Sequence, residues 1–544
     1  MEHQSKDLTL PPDLQHERRT GPVRVQRPLY VDILPPCNHT CPAGEDIQGW
    51  LALAQAARFE EAWLHLLRDN PFPAVHGRVC YHPCESSCNR AELDSAVSIH
   101  AVERFLGDQA RAAGWKPPLP ASSSGQRVLV VGAGPSGLSA AYHLRRLGHD
   151  VEIHEAGPLP GGMLNFGIPA YRLPRDVLAE EIARIEQMGV RIVLGHKVED
   201  LLAEKELGRF DAVFLAVGAH IGKRTEIPSR DASKLLDAVT FLRQVSAGEP
   251  PRLGRRVAVY GAGNTAMDAA RAALRLGHEP LIIYRRDRAH MPARGFEADE
   301  ALAEGVAIHW LRSIKAAEDA TLTVEVMELD AEGHARPTGR TETLEADSLI
   351  LALGQDVDTG FLRRVPGIAF KPDGTVSVDQ NLMTGHPGVF AGGDMVPSGR
   401  TVTAAVGHGK KVARAIDAYL RGTSCAPAAK KPIASFDKLH VWYFTDAAQR
   451  AQAELEPARR VTSFDEVVGG LSQAEATFEA QRCLSCGNCF ECDGCLGACP
   501  EDAVIKLGKG LRYRFDYERC TGCGICFQQC PSHAIEMIPE PQRS

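Results

Sequence analysis

Sixteen cysteines stand in this 544-residue chain, and ten of them fall between Cys483 and Cys530. Two runs there, CFECDGCLGACP and CTGCGICFQQCP, repeat the spacing C-x2-C-x2-C-x3-C-P. Thiolates so close together converge on one polynuclear metal core. This spacing is the one that holds [4Fe-4S] clusters in pairs, the fourth cysteine of each run serving the other cluster. One expected set is Cys489, Cys492, Cys495 and Cys530, and its partner is Cys520, Cys523, Cys526 and Cys499. Zinc knuckles are the alternative. Further upstream lie Cys37 and Cys41, then Cys80, Cys84 and Cys88, while Cys483 and Cys486 form a pair just ahead of the first run. Cys425 stands alone and reads as a spectator. Bunched cysteines in a large chain point to metal rather than to disulfides.

A second chemistry is carried by glycines. RVLVVGAGPSGLSAAYHLRRLGHDVEIHEA, residues 127–156, reads as strand, glycine turn, helix, strand and terminal acid, the pattern of a dinucleotide-binding βαβ unit. Gly132 permits the turn, Gly134 lets the backbone approach a pyrophosphate, and Gly137 lets the helix pack on the strand; Pro135 and Ser136 open that helix. Glu155 is placed to accept from a ribose hydroxyl. The pattern recurs in RRVAVYGAGNTAMDAARAALRLGHEPLIIYRR, residues 255–286, with Gly261, Gly263, Asn264, Thr265 and Ala266 in the turn. Two units imply two dinucleotides. In the second, Tyr284 stands where the first has its acid, followed by Arg285 and Arg286, and paired guanidinium groups suit a ribose 2′-phosphate. The second site therefore leans toward NADPH; arginines that are solvated or hold a pyrophosphate, with NADH as the nucleotide, are the alternative.

These residues need elements to position them. With 44% hydrophobic and 24% charged residues, the composition suits a globular protein of several domains, and a net charge of -8 gives no general pull toward nucleic acid or an anionic membrane. No eighteen apolar residues run together and the N-terminal segment is polar and broken by proline, so no membrane span and a cytoplasmic protein are expected. Apolar residues at helical spacing, including Ile47, Trp50, Leu51, Trp63 and Leu66, predict a small helical domain with cysteines at its turns. KPPLPASSSG, residues 116–125, reads as a linker, and residues 423–480 as a tether with a small irregular region. The expected boundaries are a helical iron–sulfur domain with its linker (1–125), a flavin domain in two parts (126–252 and 351–422), a nested nucleotide domain (253–350), the tether, and a bacterial-type ferredoxin domain (481–544). LILALGQ, residues 349–355, is expected to return to the flavin domain, and EDAVIKL and SHAIEMI to supply the ferredoxin strands. The fold class is thus multidomain α/β, with two nested Rossmann-like domains between iron–sulfur domains. No C-x2-C lies in either nucleotide domain, which argues against a flavin–disulfide mechanism.

PCNHTCP, DNPFPAVHGRVCYHPCESSC and VSIHAVERFLGD resemble the N-terminal iron–sulfur domain of the glutamate synthase small-subunit family, shared with dihydropyrimidine dehydrogenase. GGMLNFGIP and AGGD are similar to that family's flavin-binding segments, and nearly the whole chain resembles its longer members fused to a ferredoxin domain. The resemblance implies FAD beside Gly161, Gly162, Met163, Leu164 and Gly167, with Gly393 and Asp394 at the ribitol and a helix starting near Thr401 aimed at the isoalloxazine. It implies one N-terminal cluster on Cys41, Cys80, Cys84 and Cys88, for which structural zinc is the alternative. The family's other N-terminal cluster begins with an upstream C-x2-C that is missing before Cys37, and Cys483 with Cys486 supplies the same-looking pair. Cys37, Cys483 and Cys486 would then join Glu103, at the family's non-cysteine ligand position, as a fourth [4Fe-4S] cluster; the alternative is a buried Cys37 thiol, a redox or vestigial Cys483–Cys486 pair, and three clusters in all. The implied activity is an NAD(P)H:ferredoxin-type oxidoreductase subunit in a larger complex, with a 2-oxoacid:ferredoxin oxidoreductase as the first partner, or a ferredoxin. Alternatives are the electron-transfer subunit of dissimilatory sulfite reductase or of glutamate synthase, or a non-catalytic relay. The cofactors perform the chemistry, so no catalytic side chain is expected.

Overall fold

The computed structural model describes residues 24–541, apart from 120–121, 224, 226, 229–234, 319 and 427–430. Much of the polar N-terminal segment lies outside the described residues.

Strand Arg127–Val131 is apolar and buried on both faces, as a central parallel strand must be. It sits in the middle of a five-stranded parallel sheet ordered Val389–Ala391, Ala212–Leu215, Arg127–Val131, Asp150–His154, Arg191–Val193. Helix Pro135–Arg146 follows the glycine turn with proline in its first turn, where no amide partner is lost. Helix Val402–Leu420 packs across it, and the contact is close because residue 409 is glycine: a Cβ there would lie 2.5 Å from the Ser136 carbonyl oxygen.

The second sheet is also parallel, ordered Ala307–Trp310, Glu279–Tyr284, Arg256–Tyr260, Ser348–Leu351, Leu235–Asp237. Its membership differs from the expected boundaries at two places. Leu235–Asp237 pairs with Ser348–Leu351 rather than joining the flavin half. The LIL stretch itself pairs with Arg256–Tyr260, so the return to the flavin domain begins only after it. The chain crosses between the two domains on a short antiparallel pair, Ile221–Gly222 with Gln355–Asp356.

Around this core the two ends of the chain meet. The helices Ile47–Gln55, Phe59–Leu66, Pro73–Val79 and Ile99–Ala113 bury Trp50, Trp63 and Leu66 completely. Helix Gln473–Gln481, inside the expected tether, adds Ala476 and Ala480 to the same core. Glu479 at its end is fully buried and accepts from the amides of Ser98 and Arg450, and the Arg482 guanidinium reaches Asp94, Glu479 and the carbonyls of Ser95 and Ala96. In the C-terminal domain the two expected strands form but do not pair with each other. Val504–Lys506 pairs with Tyr513–Phe515, while Ile535–Pro539 pairs with Gln26–Tyr30 from the N-terminal region. Among the described residues no helix is long and apolar enough to cross a membrane.

Candidate functional site

The first glycine turn is shaped for a dinucleotide. Gly132 has φ +106°, and a Cβ would sit 2.5 Å from the Ala216 carbonyl oxygen, so no other residue fits. Gly134 faces open space, with nothing within 4 Å of a Cβ position. Beside it the Ser136 hydroxyl is buried without a hydrogen-bond partner, and Gly393 packs against the Ser136 side chain. The Glu155 carboxylate accepts from the amides of Ala133 (2.7 Å) and Gly157 (2.7 Å), which fixes it over the turn. GGML folds back onto the same place: the Gly161 amide donates to the Ala133 carbonyl, Gly162 lies against Gly134, and Met163–Phe166 makes one helical turn that buries Leu164 and ends at Gly167. Burial raises the Asp394 carboxyl above its ordinary value, and the Gly393 amide donates to His408 Nδ1. An orphaned hydroxyl, a bare glycine face and a half-buried acid fit FAD.

The second turn opens on a cavity of about 570 Å³ lined by Gly261, Gly263, Thr265, Tyr284, Arg285 and Arg286. Among the described residues neither arginine has a carboxylate partner; Arg286 Nε donates to the Tyr284 hydroxyl. Ala266 is buried beneath the turn. The Asn264 carboxamide points elsewhere, donating to the hydroxyl of Tyr81 between Cys80 and Cys84. Its backbone alone opens the helix Asn264–Arg275 toward a nucleotide.

All the cysteines but Cys425 gather into four groups. Cys489, Cys492, Cys495 and Cys530 line one small cavity, and Cys499, Cys520, Cys523 and Cys526 another, the sets that the spacing predicts. The N-terminal groups differ from what the family resemblance implies. Cys88, not Glu103, shares a cavity with Cys37, Cys483 and Cys486. The reason is local: Asn89 Nδ2 donates to Cys486 Sγ (3.4 Å) and Arg90 to the Arg482 carbonyl (3.3 Å), so residues 88–90 are tied to the second end of the chain. Cys41 and Cys80 lie within electrostatic reach of each other and of Glu103, and Cys84 within reach of both. Glu103 is buried and accepts from Asn70 Nδ2 (2.7 Å), and burial beside Glu45 and Glu181 raises its carboxyl well above the usual range. Burial likewise pushes the Cys483 thiol up to about 11 and that of Cys486 up to about 12. Thiols so placed ionise readily only against a cationic core, and four sulfur donors around one cavity suit [4Fe-4S].

Two contacts that sequence reasoning missed join these parts. Thr401 caps helix Val402–Leu420 through the Ala404 amide, and two residues on, Thr403 donates to Cys80 Sγ at 3.1 Å. Arg172, directly after the GGMLNFGIP segment, donates to both oxygens of Asp268 and pairs with Glu297 at 2.9 Å, locking the flavin side to the nucleotide domain. Tyr171 beside it lies under the guanidinium groups of Arg271 and Arg275. A buried aromatic followed by arginine next to a flavin segment was the only signal available for that lock.

The pyridine nucleotide-disulphide oxidoreductase family model matches residues 126–409. The model described as dihydropyrimidine dehydrogenase domain II, 4Fe-4S cluster, matches 26–115, and a 4Fe-4S binding domain matches 513–536. The chain is 38% identical over 498 residues to the NADP(+)-dependent formate dehydrogenase subunit beta of Moorella thermoacetica, covering 83% of this chain and 70% of that protein. It is 35% identical to the NADPH-Fe(3+) oxidoreductase subunit beta of Geobacter sulfurreducens (83% and 75% covered), and 32% identical to the glutamate synthase [NADPH] small chain of Azospirillum brasilense (73% and 88%). The chain therefore belongs to the pyridine nucleotide-disulphide oxidoreductase family, as a glutamate synthase small-subunit-like oxidoreductase with iron–sulfur domains at both ends.

Proposed function

We propose that this subunit exchanges electrons between NADPH and a partner redox enzyme through FAD and four [4Fe-4S] clusters. When bound, FAD supplies the conversion between hydride transfer, two electrons at once, and the single-electron exchanges of iron–sulfur clusters. The chain's own residues bind, orient and insulate. The open faces of Gly134 and Gly263 admit pyrophosphates at two helix N-termini, and Arg285 with Arg286 would grip the ribose phosphate that distinguishes NADPH from NADH. Glu155 would hold the flavin-side ribose, and Ser136, Gly161 to Leu164, Gly167, Gly393, Asp394 and Thr401 would frame the rest of FAD.

The observation that carries this reading is that one cysteine group touches the helix capped by Thr401 while another ends in an exposed thiol, Cys523. Thr403, two residues past the Thr401 cap, touches Cys80 of the group that Cys41, Cys84 and Glu103 would complete. The other groups are Cys37 and Cys88 with Cys483 and Cys486, then Cys489, Cys492, Cys495 and Cys530 along the chain, and Cys499 with Cys520, Cys523 and Cys526. Cys523 is the one exposed cysteine among the described residues, so the partner would meet the chain there. The two relatives matched over 83% of this chain are beta subunits of a formate dehydrogenase and an Fe(3+) oxidoreductase. They support a formate-oxidising or metal-reducing partner ahead of a 2-oxoacid enzyme.

Protein isolated without oxygen from its native source tests this. We expect about sixteen iron atoms per chain, flavin absorbance that bleaches with NADPH, and a co-purifying redox subunit. Bound FAD without acid-labile sulfide would overturn the reading, and a flavin that NADPH cannot bleach would reduce the chain to a relay.

A further inference from the structure

Away from the cysteines and both nucleotide turns, two imidazoles and a carboxylate converge. His154 ends strand Asp150–His154 and is 6% exposed; His196 lies in the loop after the neighbouring strand Arg191–Val193, and Glu204 on helix Leu201–Leu207. One ligand atom from each lies within 4.8 Å of the other two. We infer that these three residues bind a divalent transition-metal ion of the zinc class.

Within this group His154 Nδ1 is buried without a hydrogen-bond partner. The His154 Nε2 is 2.9 Å from Glu152 Oε1, a carboxylate flanked by Arg127 and Arg191, and this contact selects the tautomer in which Nε2 donates. Nδ1 then presents a lone pair, and it faces Glu204 Oε1 at 3.1 Å with no hydrogen bond. His196 Nε2 approaches the same oxygen at 3.0 Å. A hydrogen bond from the Nε2–H tautomer of His196 accounts for that contact, but it leaves His154 Nδ1 buried and unpartnered, a position that a metal ion would satisfy. Zinc bonds of about 2.0–2.1 Å in tetrahedral geometry put adjacent ligand atoms roughly 3.3 Å apart, close to both separations. The Glu152 contact is also the outer carboxylate that metal-bound histidines commonly keep, fixing tautomer and ring. His196 is 41% exposed, which leaves a way in and a fourth position for water.

The site would brace FAD. The His196 amide donates to the Glu155 carbonyl (2.9 Å), the Gly195 amide to the Gly157 carbonyl (3.0 Å), and the Gly132 amide to the His154 carbonyl (2.8 Å). An ion held by strand, loop and helix would cross-link the three elements that frame Glu155.

Full-length protein with clusters and flavin in place, exposed anaerobically to ZnCl2 and then gel-filtered, tests this by elemental analysis. We expect about one zinc per chain, a loss of at least tenfold in affinity in His196→Ala and in Glu204→Gln with iron and FAD contents unchanged, and a roughly 10- to 100-fold weakening in Glu152→Gln. Zinc should slow FAD dissociation severalfold in the wild type alone. Equal zinc in wild type and both variants, or none in any, overturns the assignment. Zinc K-edge absorption on the wild type decides without variants: a nitrogen and oxygen shell supports the site, and sulfur ligation overturns it.

Discussion

Arg285 and Arg286 follow the strand Glu279–Tyr284 at the mouth of the second cavity, and each presents a charge that no carboxylate among the described residues neutralises. Hydrogen bonds to charged groups contribute about 1.5–3 kcal/mol each. Arg285→Ala or Arg286→Ala should therefore raise KM for NADPH by roughly 10- to 100-fold and leave that for NADH within about twofold. Steady-state kinetics with both nucleotides checks this; parallel losses would mean that the arginines hold the pyrophosphate. These two residues were legible in the sequence because they occupy the position after a strand whose register the glycine turn fixes. The neighbouring Asn264 was legible only as backbone. Its carboxamide turns to Tyr81, some 180 residues away in the chain, and no periodicity encodes a contact of that range.

Between elements, the contact that holds the two nucleotide-binding sheets in one arrangement is Arg172 against Asp268 and Glu297. Glu297 is 1% exposed, and burial raises its carboxyl to about 7 from an ordinary 4.5. A carboxyl that is more basic folded than unfolded stabilises the fold fully below pH 4.5, and that contribution is lost as pH rises through about 7. Thermal melts should accordingly show wild-type stability falling from pH 4.5 to above 7, with a shallower fall in Glu297→Gln; the difference has an upper bound of about 3 kcal/mol. An identical pH slope in the two proteins would remove Glu297 from the lock. At this scale the sequence was readable wherever a pattern was long. The two glycine-turn helices, each 12 residues, and their flanking strands lie where the periodicity puts them. Leu235–Asp237 is three residues long and escaped notice for want of any alternation. The helix Gln473–Gln481 did carry a signal, the capping box of Ser472 and Glu475, but it was hidden in polar sequence with almost no apolar stripe.

The whole molecule is organised by the meeting of its ends. Cys37 and Cys88 come from the N-terminal domain and Cys483 and Cys486 from the far side of both nucleotide domains, and one cavity holds all four. If they share a cluster, Cys88→Ser and Cys483→Ser should each lose about four iron atoms and the same electron paramagnetic resonance signal, while Cys84→Ser loses a different one. A Cys88→Ser protein that instead lacks the signal missing in Cys84→Ser would restore the grouping that the family resemblance implies. Spacing alone separates cysteines within a run, as it did for both C-terminal sets. It cannot assign Cys88, which follows Cys84 at the same interval at which Cys84 follows Cys80 and is placed by Asn89 and Arg90 reaching across to residues 482–486.

The pairing of Gln26–Tyr30 with Ile535–Pro539 has a consequence for how the protein is made. A ribosome adds about 5–20 residues per second, so the earlier strand waits roughly half a minute to two minutes for its mate. Throughout that interval an unpaired β edge is open to wrong partners. The sheet that joins the two terminal domains therefore closes only after residue 539 has been made, and anything that shields residues 26–30 until then favours the correct pairing.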